Sequence, residues 1–221
     1  DIALQKALNY TKQKDAPYTD AMSQLAGQIY YERGEFKKAQ KYLGQYTSGA
    51  KDVRNDDHFR LGYIKYQMGE LEDAISNFKK VRNNGTELFA QSLYYLGVSY
   101  LKNGDKKNAL TVFKQALTTN KLGKLKEDVQ FNAAKLSYDL DPQGNSEREL
   151  GAFVNDYPNS KYYRDAMEML ALLNIKSKNF EKASNSLRKL GNLSPIFQAV
   201  YQKINYARGI QLLKNGNADL A

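Results

Sequence analysis

Side chains able to do chemistry are sparse in this sequence. It holds one histidine, His58, and no cysteine, which excludes disulfides, thiolate zinc and iron–sulfur sites and leaves no pair of imidazoles for a metal. Without a second histidine or a thiol, His58 reads as a structural residue, packed or partly exposed, rather than as a catalytic base. No glycine-rich phosphate loop, nucleophile elbow, paired-histidine zinc helix or dinucleotide fingerprint is present. One stretch comes close to a calcium loop: Asp139-Leu140-Asp141-Pro142-Gln143-Gly144-Asn145-Ser146-Glu147 follows its first nine positions, but the twelfth, which should be a bidentate glutamate, is Leu150. A lengthened turn explains the same residues. The expectation is a chain with no catalytic residue, metal or cofactor. What does recur is aromatic. Phe59, Tyr63 and Tyr66 are spaced i, i+4 and i+7, which puts three rings on one face of a helix, and rigid amphipathic rings are suited to recognition rather than reaction.

The net charge of +9, from 33 Lys and Arg against 24 Asp and Glu, raises nucleic acid, anionic lipid or an acidic protein as partners. The lysines are scattered singly and in pairs, such as Lys37-Lys38, Lys79-Lys80 and Lys106-Lys107, where an amphipathic helix would face water. No arginine block, recognition-helix pattern or Gly-flanked aromatic RNA motif accompanies them, so nucleic acid is disfavoured. No apolar run of about 18 residues is long enough to span a membrane, and Asp1 opens no recognisable signal sequence.

The elements that position these residues follow from a period. With 221 residues the chain can build one sizeable core or a short solenoid. Few β-branched residues and four prolines favour helix throughout. Gly27, Gly62 and Gly97 are spaced by 35 residues, as are Gly34, Gly69 and Gly104, Ala39, Ala74 and Ala109, and Leu43, Phe78 and Phe113. Each period reads as two helices. The first carries apolar or small residues on one face, as in Leu93, Leu96, Gly97 and Tyr100. Gly34, Gly69 and Gly104 end it in the left-handed conformation open to glycine. The second carries Ala109, Phe113 and Ala116 on a stripe. Mid-helix glycines cost about 1 kcal/mol against alanine, so Gly27, Gly62 and Gly97 are expected to admit the paired helix opposite the small Ala39, Ala74 and Ala109.

This pattern resembles the tetratricopeptide repeat, with Leu96, Gly97, Tyr100, Gly104, Ala109, Phe113 and Ala116 the fullest match and Ala26, Gly27, Tyr30, Gly34, Phe36, Ala39 and Leu43 another. Between them, His58 and Lys65 stand where the family usually has apolar groups. The resemblance implies an all-α fold, a right-handed α-solenoid of antiparallel helix pairs, in one array. The repeats are expected at about 13–46, 51–83, 88–121, 125–157, 160–192 and 196–221, with 1–12 the second helix of a preceding repeat, so that both ends cut through hairpins of a longer array. Tyr157-Pro158-Asn159-Ser160 is similar to a linker in bacterial envelope repeat proteins. It leads to the expectation of a bacterial, periplasmic, outer-membrane-associated location, with the cytoplasm as alternative.

In the resembled family the first helices line the concave side, and groove-facing positions follow the core ones by one residue. Here these are Tyr31, Phe59, Tyr63, Tyr66, Tyr94, Phe131 and Tyr138; some of the rings would alternatively pack between repeats. The Lys and Asn pair with which some members clamp a terminal carboxylate is replaced by Gln24 and Gln28. The implied function is a non-enzymatic protein–protein interaction scaffold that holds a protein or peptide in the groove by aromatic contact. A basic solenoid binding nucleic acid or an anionic surface, and an accessory module of an enzyme complex, are the alternatives.

Overall fold

A computed structural model describes residues 2–12 and 17–220. The chain divides into two compact units, Asp1–Leu125 and Lys126–Ala221, and within the described residues all regular structure is helical. The first unit contains α1 (Ile2–Thr11), α2 (Thr19–Glu32), α3 (Phe36–Gly49), α4 (Asn55–Gln67), α5 (Leu71–Lys79), α6 (Glu87–Lys102) and α7 (Lys106–Thr118), closed by a 3₁₀ turn at Gly123–Leu125. Its principal packing pairs are α2 with α3, α4 with α5 and α6 with α7, and α1 lies on α2 as α5 lies on α6. The second unit contains α8 (Lys126–Leu140), α9 (Ser146–Asp156), α10 (Tyr163–Lys176), α11 (Phe180–Lys189) and α12 (Pro195–Lys214), with a 3₁₀ turn at Ala218–Leu220; successive helices pack on one another.

The hairpin turns show why these helices stop where they do. Gly34, Gly69 and Gly104 have φ of 71, 79 and 81°, the left-handed conformation that ends a helix. The residue after each glycine donates its N–H to the carbonyl five positions back, as Asp105 does to Tyr100 at 2.9 Å. Carbonyls that the helix end would leave unpaired are thereby satisfied. The next helix begins at once, and the Asp105 carboxylate accepts from the Asn108 N–H (3.1 Å) as its N-cap. Elsewhere Thr86 caps α6 and Ser194 caps α12 ahead of Pro195.

The mid-helix glycines admit the paired helix as expected, but the residues they face are not the expected alanines. A Cβ on Gly97 would lie 2.5 Å from the Phe113 ring, one on Gly62 2.8 Å from the Phe78 ring, and one on Gly27 2.6 Å from the Leu43 side chain. Each glycine therefore seats the large residue of the second helix, and not the small Ala39, Ala74 or Ala109. Those alanines are fully buried elsewhere in the core. The physical reason is volume: Leu43, Phe78 and Phe113 are almost wholly buried, and a close-packed core has no room for both the ring and a methyl group beneath it. In the second unit Leu150, Phe153 and Leu187 are likewise fully buried.

Candidate partner-binding site

The first helices of the three hairpins, α2, α4 and α6, turn aromatic side chains toward one opening in the first unit. A cavity of about 600 Å³ is lined by Tyr31 from α2, Phe59 and Tyr63 from α4, Glu87, Gln91 and Tyr95 from α6, and Leu122–Leu125 from the closing turn. Tyr63 and Tyr95 meet edge to face with centroids 5.1 Å apart, and Tyr31 meets Tyr63 likewise at 5.9 Å. Phe59 packs on Tyr95 at 5.9 Å, and Tyr66 extends the strip, 5.6 Å from Tyr95. Edge-to-face rings are favoured by the aromatic quadrupole, so the strip holds its shape without a ligand.

Of the expected groove residues, Tyr31, Tyr63 and Tyr66 are half-buried and share this strip. Phe59 is buried at 9% exposure and forms the floor. Tyr94 is half-buried beside Tyr95 at 5.1 Å but is not part of the cavity lining. Phe131 and Tyr138 belong to the second unit. There Phe131 is 4% exposed and stacks under Tyr162 at 4.2 Å, and Tyr138 packs against the same cluster. Phe131 is therefore core and not groove, because the Tyr162 ring covers it and the Tyr162 hydroxyl is held by Asp128 at 2.8 Å.

Sequence spacing does not find Tyr95, which with Tyr63 has five aromatic neighbours. Besides Tyr63, Tyr66, Phe59 and Tyr94 it stacks on Phe78 at 5.9 Å. The signal was the tandem Tyr94-Tyr95: on a helix the two rings point about 100° apart, and only one was assigned to the groove. Burial, and then the neighbouring Tyr63 phenol, push the Tyr95 and Tyr31 hydroxyls up to about 12, so both are neutral hydrogen-bonding groups at ordinary pH.

Beside the strip lies a second polar feature. Asp57, near the start of α4, is fully buried. Its carboxylate accepts from the Gln24 and Gln28 amides of α2, the latter at 3.3 Å, and from Arg54 and Arg60 at 3.2 Å each. Four donors and the N-terminal turn of α4 compensate its desolvation. The two glutamines thus hold a carboxylate supplied by the chain itself. His58 next to it is half-buried with Nδ1 lacking a partner; burial, and then Lys80, lower its pKa, so it is neutral at pH 7. In the Asp139–Leu150 turn, Glu147 pairs with Lys182 at 2.9 Å and the Asp141 carboxylate lies against Gly144; among the described residues no group of three or more acidic or histidine side chains is placed to hold a metal.

Residues 59–122, which carry most of this strip, match the tetratricopeptide repeat family model. Over that stretch the chain is similar to the tetratricopeptide repeat. A repeat protein of Methanocaldococcus jannaschii is 29% identical over 118 residues, 53% of this chain, and the chain spans about a fifth (20%) of that relative's length. Among solved structures, YrrB, described as a tetratricopeptide-repeat protein with an unusual peptide-binding site, superposes with a TM-score of 0.63 at 18% identity, over 85% of this chain and 90% of its own. A MamA structure does so with a TM-score of 0.63 at 14% identity, over 84% and 99%. At these identities the structural likeness shows the fold. It is the fold of the tetratricopeptide repeat, and among the described residues no helix is long and apolar enough to cross a membrane.

Proposed function

We propose that the chain is a non-enzymatic scaffold whose first unit binds an extended segment of a partner protein along the Tyr31–Tyr63–Tyr95–Tyr66 strip. The observation that carries this reading is the cavity of about 600 Å³ beneath half-buried tyrosines, open to solvent in a fold whose relatives include a peptide binder. Tyrosines contribute large contact area with few rotamers to freeze, so they are frequent anchors of recognition. Single-stranded nucleic acid also stacks on aromatic rings, but it needs open ring faces. Here the rings contact one another edge to face, which favours side chains inserted between them. The envelope location stays a separate proposal resting on the Tyr157–Ser160 linker, to be tested by fractionating the source cell.

The test is peptide display against the whole chain followed by affinity measurement. Peptides enriched on the wild type should carry aromatic or large aliphatic anchors. Tyr95→Ala should weaken them on the order of tenfold to a hundredfold, as expected for a central anchor. Unchanged affinity in a folded Tyr95→Ala variant would place the binding surface elsewhere.

A further inference from the structure

Building on the groove reading, we infer that the segment it takes is an acidic, internal stretch of a partner protein, in which Asp or Glu alternate with aromatic or large aliphatic anchors. Lysines stand at two places on the strip. Lys124 lines the cavity, and the Lys102 ammonium sits 4.2 Å from the centroid of the Tyr66 ring. Both are exposed, and neither has an acidic partner among the described residues. Other cations close to the rings are already neutralised: Arg60, over the Tyr31 ring, binds Asp57, and Lys65 is paired with Glu70 and with Asp73, the latter at 3.0 Å. Against the two lysines, Glu87 is the carboxylate in the described lining, and it accepts from the Gln91 amide at 3.2 Å.

The wider field has the same sign. Asp1–Leu125 holds twenty basic against thirteen acidic residues, whereas Lys126–Ala221 holds thirteen against eleven. The basic excess is thus concentrated in the unit that carries the groove, where it would raise the encounter rate with an acidic partner and disfavour a basic one. A carboxylate arriving beside Lys102 meets an ammonium already fixed over a ring, so little side-chain freedom remains to be lost. The segment is internal because the α2 donor pair at the clamp positions is not open to a chain terminus. The glutamine amides of α2 that could receive one are occupied by Asp57.

The experiment uses the whole chain and short fluorescent peptides that share Phe and Leu anchors and differ only in carrying Asp, Ser or Lys between them, with a single-stranded oligonucleotide as a further probe. The Asp peptide is expected to bind about fivefold to tenfold tighter than the Ser peptide at low salt, with the Lys peptide weakest and the differences shrinking as salt is raised. The K102Q/K124Q double variant should bring the Asp peptide down to the affinity of the Ser peptide, and Tyr95→Ala should weaken both. Equal binding of all three peptides overturns the acidic preference and leaves the groove reading standing. Failure of every peptide to bind overturns both. Tighter binding of the oligonucleotide than of the Asp peptide, lost in Tyr95→Ala, overturns the inference in favour of nucleic acid.

Discussion

The hairpin α6–α7 of the first unit and the hairpin α10–α11 of the second are built on one backbone plan with different residues. In both, the residue after the turn donates to a carbonyl five positions back, Asp105 to Tyr100 at 2.9 Å and Asn179 to Asn174 at 2.8 Å. In both, that same residue caps the next helix through its side chain. Yet the left-handed position is Gly104 in one, with φ 81°, and Lys178 in the other, with φ 59°. Beneath the large buried residue stands Gly97 under Phe113 in the first hairpin, and Ala171, fully buried, at the position matching Gly97 in the second, where Leu187 takes the place of Phe113. The turn is therefore fixed by its hydrogen bonds and caps, and glycine only lowers its cost. The seat under the large residue is fixed by volume.

The largest effect should appear at that seat. A methyl group on Gly97 would meet the Phe113 ring at 2.5 Å, and the ring is fully buried, so neither partner can yield without moving its helix. Gly97→Ala is expected to destabilise by about 2 kcal/mol through overpacking, in spite of the gain of about 1 kcal/mol in helix propensity. The reverse change in the second unit, Ala171→Gly, should cost about 1 kcal/mol, from propensity and the lost methyl. Urea denaturation of both variants tests the comparison. A stabilised Gly97→Ala would mean that helix propensity alone governs this position.

A smaller effect separates the two turns. A side chain in the left-handed region costs about 1–2 kcal/mol, partly offset by the greater freedom of glycine in the unfolded chain. Lys178→Gly should accordingly raise stability by about 0.5–1 kcal/mol, and Gly104→Lys should lower it by a similar amount. If Lys178→Gly brings no gain, the lysine side chain makes a compensating contact that the backbone plan does not require.

These two hairpins also show how much the sequence revealed. Helical class and the turns at Gly34, Gly69 and Gly104 were legible because glycine marks a left-handed residue and recurs with a fixed period. Lys178 hides the same turn behind an ordinary residue, so no glycine marks it in the α10–α11 hairpin. Their period marks the mid-helix glycines as packing devices but does not say that Leu43, Phe78 and Phe113 are what they face. Spacing tells which face a residue lies on, and not which neighbour, small or large, fills the space above it. The groove was legible in part for the same reason. Phe59, Tyr63 and Tyr66 follow from helical spacing, whereas Tyr31 and Phe131 rest on the resemblance to the repeat, and of these two only Tyr31 lines the groove. Whether a ring is open or covered depends on Tyr162, which the intervening hairpin delivers from far along the chain. The burial of Asp57 does not follow from spacing: Arg54 and Arg60 are its neighbours at three residues, but the Gln24 and Gln28 amides that complete its shell come from α2.

The tyrosines of the two units give the finest comparison, through their protons. In the first unit Tyr31 and Tyr95 are raised from the ordinary phenol value near 10 to about 12, by burial first and by the Tyr63 phenol next. In the second unit burial also raises Tyr162, but Lys161 opposes the shift while Asp128 adds to it. A raised phenol pKa means that the folded chain favours the neutral form. The stabilisation is present in full below about pH 10 and is lost as pH climbs from about 10 toward 12, because the unfolded chain then releases protons that the folded one retains. Alkaline titration followed by tyrosinate absorbance should therefore show a late fraction near pH 12, and unfolding should set in within that window. Tyr31→Phe and Tyr95→Phe should each remove part of the late fraction, while Tyr162→Phe should leave it in place. A titration complete by about pH 11, unchanged by the Tyr31 and Tyr95 substitutions, would mean that water reaches the strip freely and that its rings do not form the half-buried strip described for the groove.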